Sequence, residues 1–256
     1  MKFVDLLDRS IKGNNSQLCV GLDIDLEKIP KTIASGKNAI FDFNRSIIEA
    51  TADLVCAYKP NIAFYERYGI VGIEALLKTI ELIHNFKLPV ILDAKRGDIG
   101  NSSDAYAQAA FQYFKADAIT VNPYMGKDSV DPFIEYEDKG IFILCLTSNP
   151  GAANLQNKPP HPLFLTVAEK VKEWNVRGNC GVVVGATKPD ELKQVHDIVG
   201  DMPILIPGVG AQGGDLEAAV KNGGRRAIIN ASRSIIYAAD PKAEAKKLRD
   251  AINQCK

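Results

Sequence analysis

Pro89-Val90-Ile91-Leu92-Asp93-Ala94-Lys95-Arg96-Gly97-Asp98-Ile99-Gly100-Asn101 reads as a buried strand that turns directly into a helix. Its four leading apolar residues suit a strand covered on both faces, as in a parallel sheet. Asn101 is placed to cap the helix that follows, with Asp104 in the first turn. Side chains alternate faces along a strand, so Asp93 and Lys95 point the same way while it lasts. A buried strand does not carry charges there without a reason. Carboxylates around one ammonium favour its charged form, giving a fixed cation and proton donor beside fixed anions. Asp98, at the strand-to-helix turn, either joins that group or compensates the helix dipole.

The same strand–helix unit recurs along the 256 residues. Short apolar runs at 18–22, 54–58, 89–92, 118–121, 141–146, 181–184, 204–206 and 227–229 read as strands. Amphipathic segments at 73–85, 103–114, 162–174, 189–199 and 215–222 read as helices between them. Such alternation means parallel strands with crossover helices. Eight repeats predict a single α/β domain over residues 1–256, a closed (β/α)8 TIM barrel rather than an open sheet. The segment Met1 to Arg9 carries acids within its apolar pattern. It reads as an amphipathic helix closing the bottom of the barrel, not a secretion signal.

Composition excludes several functions. Lys+Arg and Asp+Glu are both 31, so the net charge is zero and no basic surface advertises nucleic acid or an anionic membrane. No apolar run approaches the roughly 18–20 residues of a membrane span. The five cysteines form no C-x-x-C pair, which suits a reducing cytoplasm. His84, His161 and His196 are far apart, so no metal site is expected.

Polar residues collect at strand ends. Asp23, Lys59, Asp93, Lys95, Asn122, Ser148, Gly208, Gly210 and Arg233 all fall at or just past an apolar run. In a barrel those ends form one rim, where the active site lies. Pro207-Gly208-Val209-Gly210-Ala211-Gln212-Gly213-Gly214 joins a strand to a helix start, and Asn230-Ala231-Ser232-Arg233 ends the last strand. Loops at these two places are the usual phosphate grip of barrels, through backbone N–H groups and an arginine. Asp23 and Lys59 end adjacent strands and suit either a sugar diol or a rim salt bridge. The long connection 148–161, with Pro150, Gly151, Pro159 and Pro160, reads as a lid.

Asp93-Ala94-Lys95-Arg96-Gly97-Asp98-Ile99-Gly100-Asn101 resembles the D-x-K-x-x-D-I-G-N signature of the orotidine 5′-phosphate decarboxylase family. The resemblance extends to Gly21-Leu22-Asp23, Tyr58-Lys59-Pro60-Asn61, Thr147-Ser148-Asn149-Pro150-Gly151, Pro207-Gly208-Val209-Gly210 and Ser232-Arg233. The A-K-R-G-D and S-N-P-G wording is similar to the longer bacterial branch. D-x-K-x-x-D alone also occurs in sister decarboxylases and aldolases; the joint set is more specific.

The resemblance implies decarboxylation of orotidine 5′-phosphate to UMP, the last step of de novo UMP synthesis, without a cofactor. It implies that Lys95 protonates C6, Asp93 sits by the departing carboxylate, and Asp98 arrives from the other subunit of a homodimer. Asp23 and Lys59 would hold ribose hydroxyls, and Ser148 would meet the pyrimidine edge. Gln212 and Arg233 would grip the phosphate, beside Pro207, Gly208, Gly210 and Ser232. Ser102 stands where a threonine commonly follows I-G-N and touches the ribose across the dimer; the hydroxyl is kept. Two other readings share the scaffold: a Mg²⁺-dependent keto-sugar-phosphate decarboxylase or hexulose-phosphate synthase, and a non-catalytic nucleotide-binding barrel.

Overall fold

The computed structural model describes residues 1–209 and 215–256. Its eight strands are β1 (Leu18–Gly21), β2 (Ala57–Lys59), β3 (Ile91–Arg96), β4 (Ala118–Val121), β5 (Gly140–Leu146), β6 (Cys180–Val184), β7 (Ile204–Pro207) and β8 (Ala227–Ala231). All ladders are parallel and run in the order β2-β1-β8-β7-β6-β5-β4-β3. Two parallel bridges, Tyr58 to Val90 and Asn61 to Asp93, close the seam between β2 and β3. The expected (β/α)8 barrel is therefore present, with helices between the strands.

Two strand boundaries differ from expectation by more than two residues. The second strand starts at Ala57 because residues 52–54 turn out of the helix Ala39–Thr51. The third continues past its apolar run to Arg96, so Asp93 and Lys95 lie within it. The helix after β3 spans Gly100–Gln108 and ends in one π turn, Ala109–Tyr113. No helix among the described residues is long and apolar enough to cross a membrane.

The two faces of each strand bury different things. Outward residues such as Val20, Leu92, Ile119, Ile143 and Ile229 join the helices in one large apolar cluster. Inward, each strand gives one residue to a second cluster: Cys19, Ala57, Ile91, Ala118, Phe142, Val183, Leu205 and Ile228. Phe3 and Leu7, from the helix Phe3–Gly13, complete that cluster. Phe3 packs edge-on to Phe142 with ring centroids 5.6 Å apart. A Cβ on Gly140 would come within 2.4 Å of the Phe3 ring, so that glycine makes room for the plug.

Candidate active site

One step of two residues along the strands moves from the barrel's apolar filling to the floor of its mouth. Ala57 gives way to Lys59, Ile91 to Asp93, Ala118 to Thr120, Phe142 to Leu144, Leu205 to Pro207 and Ile228 to Asn230. All six new residues line one cavity of about 410 Å³. Asp23, Lys95, Thr147, Ser148, Asn149, Gly208, Val209, Ser232 and Arg233 line it from above. The mouth thus has a polar arc, Asn230–Lys59–Asp93–Thr120, and an apolar arc of Leu144, Val183 and Leu205.

Asp93 is the centre of the charges. Its Oδ2 accepts from Lys59 Nζ at 3.1 Å, and its Oδ1 accepts from Lys95 Nζ at 2.6 Å. Asp93 is 8% exposed and Lys59 3%, whereas the Lys95 side chain is 47% exposed and reaches the open cavity. Burial alone would push the Asp93 carboxyl up, but the Lys59 and then the Lys95 ammonium overcome it and hold it well below the usual carboxylate range. Burial would likewise push Lys59 down, yet Asp93 and then Asp23 hold it above the ordinary lysine value. Both groups are therefore charged at neutral pH. Beneath them, burial pushes the Cys19 thiol up to about 12, which leaves it a small hydrophobe.

The backbone at Lys95 is unusual. Its φ is +47°, in the left-handed region. For a non-glycine residue this costs about 1–3 kcal/mol and persists only where the surroundings impose it. The β3–β4 register shifts between Leu92 and Arg96 at the same place. The Thr120 hydroxyl accepts from the N–H of Ala94 (3.0 Å) and of Lys95 (2.9 Å), and it donates to Asp93 Oδ1 at 3.0 Å. On the other side, the Asp93 N–H donates to the Pro60 carbonyl at 2.9 Å, and the Ile62 N–H donates to the Asp93 carbonyl at 3.2 Å.

Other expected residues fall around this centre. Asp23 is held through its carbonyl, which accepts from the Tyr237 hydroxyl at 3.1 Å, while its buried Oδ1 has no partner among the described residues. Ser148 reaches the cavity because Gly185 lets the β5 and β6 loops meet; a Cβ there would lie 2.8 Å from the Ser148 Cβ. The Ser232 hydroxyl donates to the Gly21 carbonyl at 2.9 Å and ties β8 to β1. Arg233 opens the short helix Arg233–Ile236 and lines the cavity. Gly208, with φ +98°, makes the turn after β7 that few other residues would tolerate. Gly210 and Gln212 lie outside the described residues.

Three expected residues stand apart from the cavity in a single chain. Asp98 Oδ1 accepts from the N–H of Ile99 at 2.8 Å, and Ser102 is exposed on the helix that follows. Asn122 is exposed too, accepts from the Tyr124 N–H at 3.0 Å, and lines a neighbouring depression with Leu155 and Gln156. Conversely, sequence reasoning passed over Thr120 and Asn230. The signal was a polar residue two steps along from an inward small or apolar one, in runs otherwise apolar. In the 148–161 connection, Gln156 Oε1 accepts from the Thr147 N–H at 2.7 Å and so braces the start of the Ser148 loop.

The class these features define is a (β/α)8-barrel enzyme with a buried carboxylate–ammonium array at the C-terminal ends of its strands, where such barrels carry out their chemistry. Residues 16–248 match the model of the Orotidine 5'-phosphate decarboxylase / HUMPS family, and the chain belongs to that family. It is 50% identical over 251 residues to the orotidine 5'-phosphate decarboxylase of Herpetosiphon aurantiacus, covering 96% of this chain and 94% of that one. It is also 50% identical over 268 residues to that of Azoarcus sp., covering 99% of both. Among solved structures, OMP decarboxylase of Leishmania donovani shares 43% identity at a TM-score of 0.89, covering 100% of this chain and 99% of that one.

Proposed function

We propose that this protein decarboxylates orotidine 5′-phosphate to UMP. The observation that carries the reading is the Lys59–Asp93–Lys95 array at the base of the cavity, with Lys95 alone of the three substantially exposed to it. Loss of carbon dioxide from C6 leaves an electron pair in a ring orbital with no electron sink of its own. Preorganised charge can stabilise that pair without a cofactor. The Lys95 ammonium supplies both the charge and the proton that replaces the carboxylate. Asp93 holds that ammonium in place and faces the departing carboxylate, while Lys59 keeps Asp93 ionised.

Binding energy from the remote parts of the substrate supports this chemistry. Asp23, with its unpartnered Oδ1, accepts from ribose hydroxyls. Lys59 spends one of its three donors on Asp93 and has others for the ribose. Ser148 meets the pyrimidine edge. Arg233, Ser232, Gly208 and Pro207, with Gly210 and Gln212, surround the phosphate; each charged hydrogen bond there contributes about 1.5–3 kcal/mol. Asn122 remains a rim residue on this reading.

The site is completed by a second copy. Asp98 and Ser102 flank Ile99 in the sequence, a large apolar side chain that is 55% exposed. A homodimer that covers this face brings Asp98 and Ser102 to the partner's Lys95 and ribose site. Residues 1–256 then act as one catalytic unit that needs no nucleic acid or membrane, and the five unpaired cysteines suit a cytoplasmic setting. Purified protein should consume orotidine 5′-phosphate with loss of its ultraviolet absorbance and accumulate UMP. Tight UMP binding with no turnover would favour the non-catalytic barrel instead.

A further inference from the structure

We infer that Thr120 is a positioning residue for the decarboxylation, acting through Asp93 and the Lys95 backbone; this rests on the function proposed above. Thr120 is fully buried on β4, one strand away from the array. A hydroxyl has one proton to give and two lone pairs to receive with. Both lone pairs are taken, by the N–H groups of Ala94 and Lys95 at 3.0 and 2.9 Å. Its one proton is therefore committed to Asp93 Oδ1, 3.0 Å away. No rotation of the hydroxyl can satisfy these three groups in another way.

Two consequences follow from that saturation. Asp93 Oδ1 is the same oxygen that accepts from Lys95 Nζ, so the Thr120 proton fixes the carboxylate plane against which the ammonium rests. The two N–H groups lie at the left-handed turn of Lys95, where the β3–β4 ladder breaks register. Thr120 replaces ladder bonds lost there, and so sets the point from which the Lys95 side chain leaves the strand. One hydroxyl thus orients both members of the reacting pair. The methyl group packs, but it makes none of these contacts.

The test compares wild type, Thr120→Val and Thr120→Ser for kcat and for UMP affinity. Valine keeps the shape and removes all three hydrogen bonds; serine keeps the hydroxyl and removes the methyl. Loss of a hydrogen bond to a charged group predicts a fall in kcat of about 10- to 100-fold for Thr120→Val. UMP affinity should stay within about threefold, because the ribose and phosphate contacts are elsewhere, and Thr120→Ser should recover most of kcat. Should the valine variant not fold, Thr120→Ala takes its place with the same expectation. Normal kcat in the hydroxyl-free variant, or an equal loss in Thr120→Ser, overturns the inference. An inactive wild type that still binds UMP overturns the function it rests on and is distinguishable from either.

Discussion

Replacing Asp93 by Asn changes one heavy atom and removes a negative charge bonded to two ammonium groups. Lys59 Nζ lies 3.1 Å from Asp93 Oδ2, and both residues are buried. At an effective dielectric near 20, such a pair attracts by roughly 5 kcal/mol before desolvation is counted. Removing one partner of a buried pair leaves the other charge uncompensated, which costs about 3–5 kcal/mol. Lys95 adds little to this figure, because its half-exposed ammonium is screened by water. At about 2–4 °C per kcal/mol for a chain of this size, Tm should fall by roughly 10 °C. The further substitution Lys59→Met removes the stranded cation, so the double variant should recover part of that loss. Thermal denaturation at pH 7 with matched urea titrations reads the effect. An Asp93→Asn variant within about 1 kcal/mol of wild type, well below the range for a broken buried pair, would refute the reasoning.

The pH dependence of the same pair has a definite sign. Asp93 is depressed in the fold, so its contribution is present above the unfolded carboxylate value near 4 and is lost as pH falls through its lower folded value. Lys59 is raised, so its contribution is full below the unfolded lysine value near 10.4 and is lost as pH rises through its higher folded value. Stability from this pair should therefore be flat across the neutral range.

Lys95→Ala should abolish nearly all turnover while UMP affinity, read by titration, stays appreciable; near-normal kcat contradicts the proton-donor role. Mixing inactive Lys95→Ala and Asp98→Ala chains should restore activity, since one hybrid site of the dimer is intact; no recovery despite proven subunit exchange counts against a shared site. Gly185→Ala places a methyl 2.8 Å from the Ser148 Cβ and should lower kcat/KM at least about tenfold, with the about 1–3 kcal/mol stability loss of overpacking. Unchanged kinetics in that variant would mean that the Ser148 loop gives way without consequence.

Much of the fold was legible because period and composition agree along the chain. Apolar runs bounded by helical patterns located all eight strands, and the acid–lysine spacing of β3 located the charge array. What stayed hidden is long-range. Lys59 reads as a ribose ligand or a rim salt bridge, and only the closure of β2 against β3 shows it bonded to Asp93. Thr120 looks like a β-branched strand residue, which it also is; its three hydrogen bonds depend on the bulge in the neighbouring strand. The left-handed Lys95 contradicts local preference, since nothing in Asp93-Ala94-Lys95-Arg96 forecasts a positive φ. Within one chain Asp98 accepts from the Ile99 N–H and Ser102 is exposed, and the partners proposed for both belong to another copy.

The central claim is that a lysine held by a buried carboxylate stabilises the developing carbanion and protonates it with no help from a bound metal or cofactor. The most direct measurement is orotidine 5′-phosphate turnover by wild-type protein after exhaustive treatment with EDTA and gel filtration. The account predicts the same rate before and after. A rate lost with the chelator and restored by Mg²⁺ would contradict it.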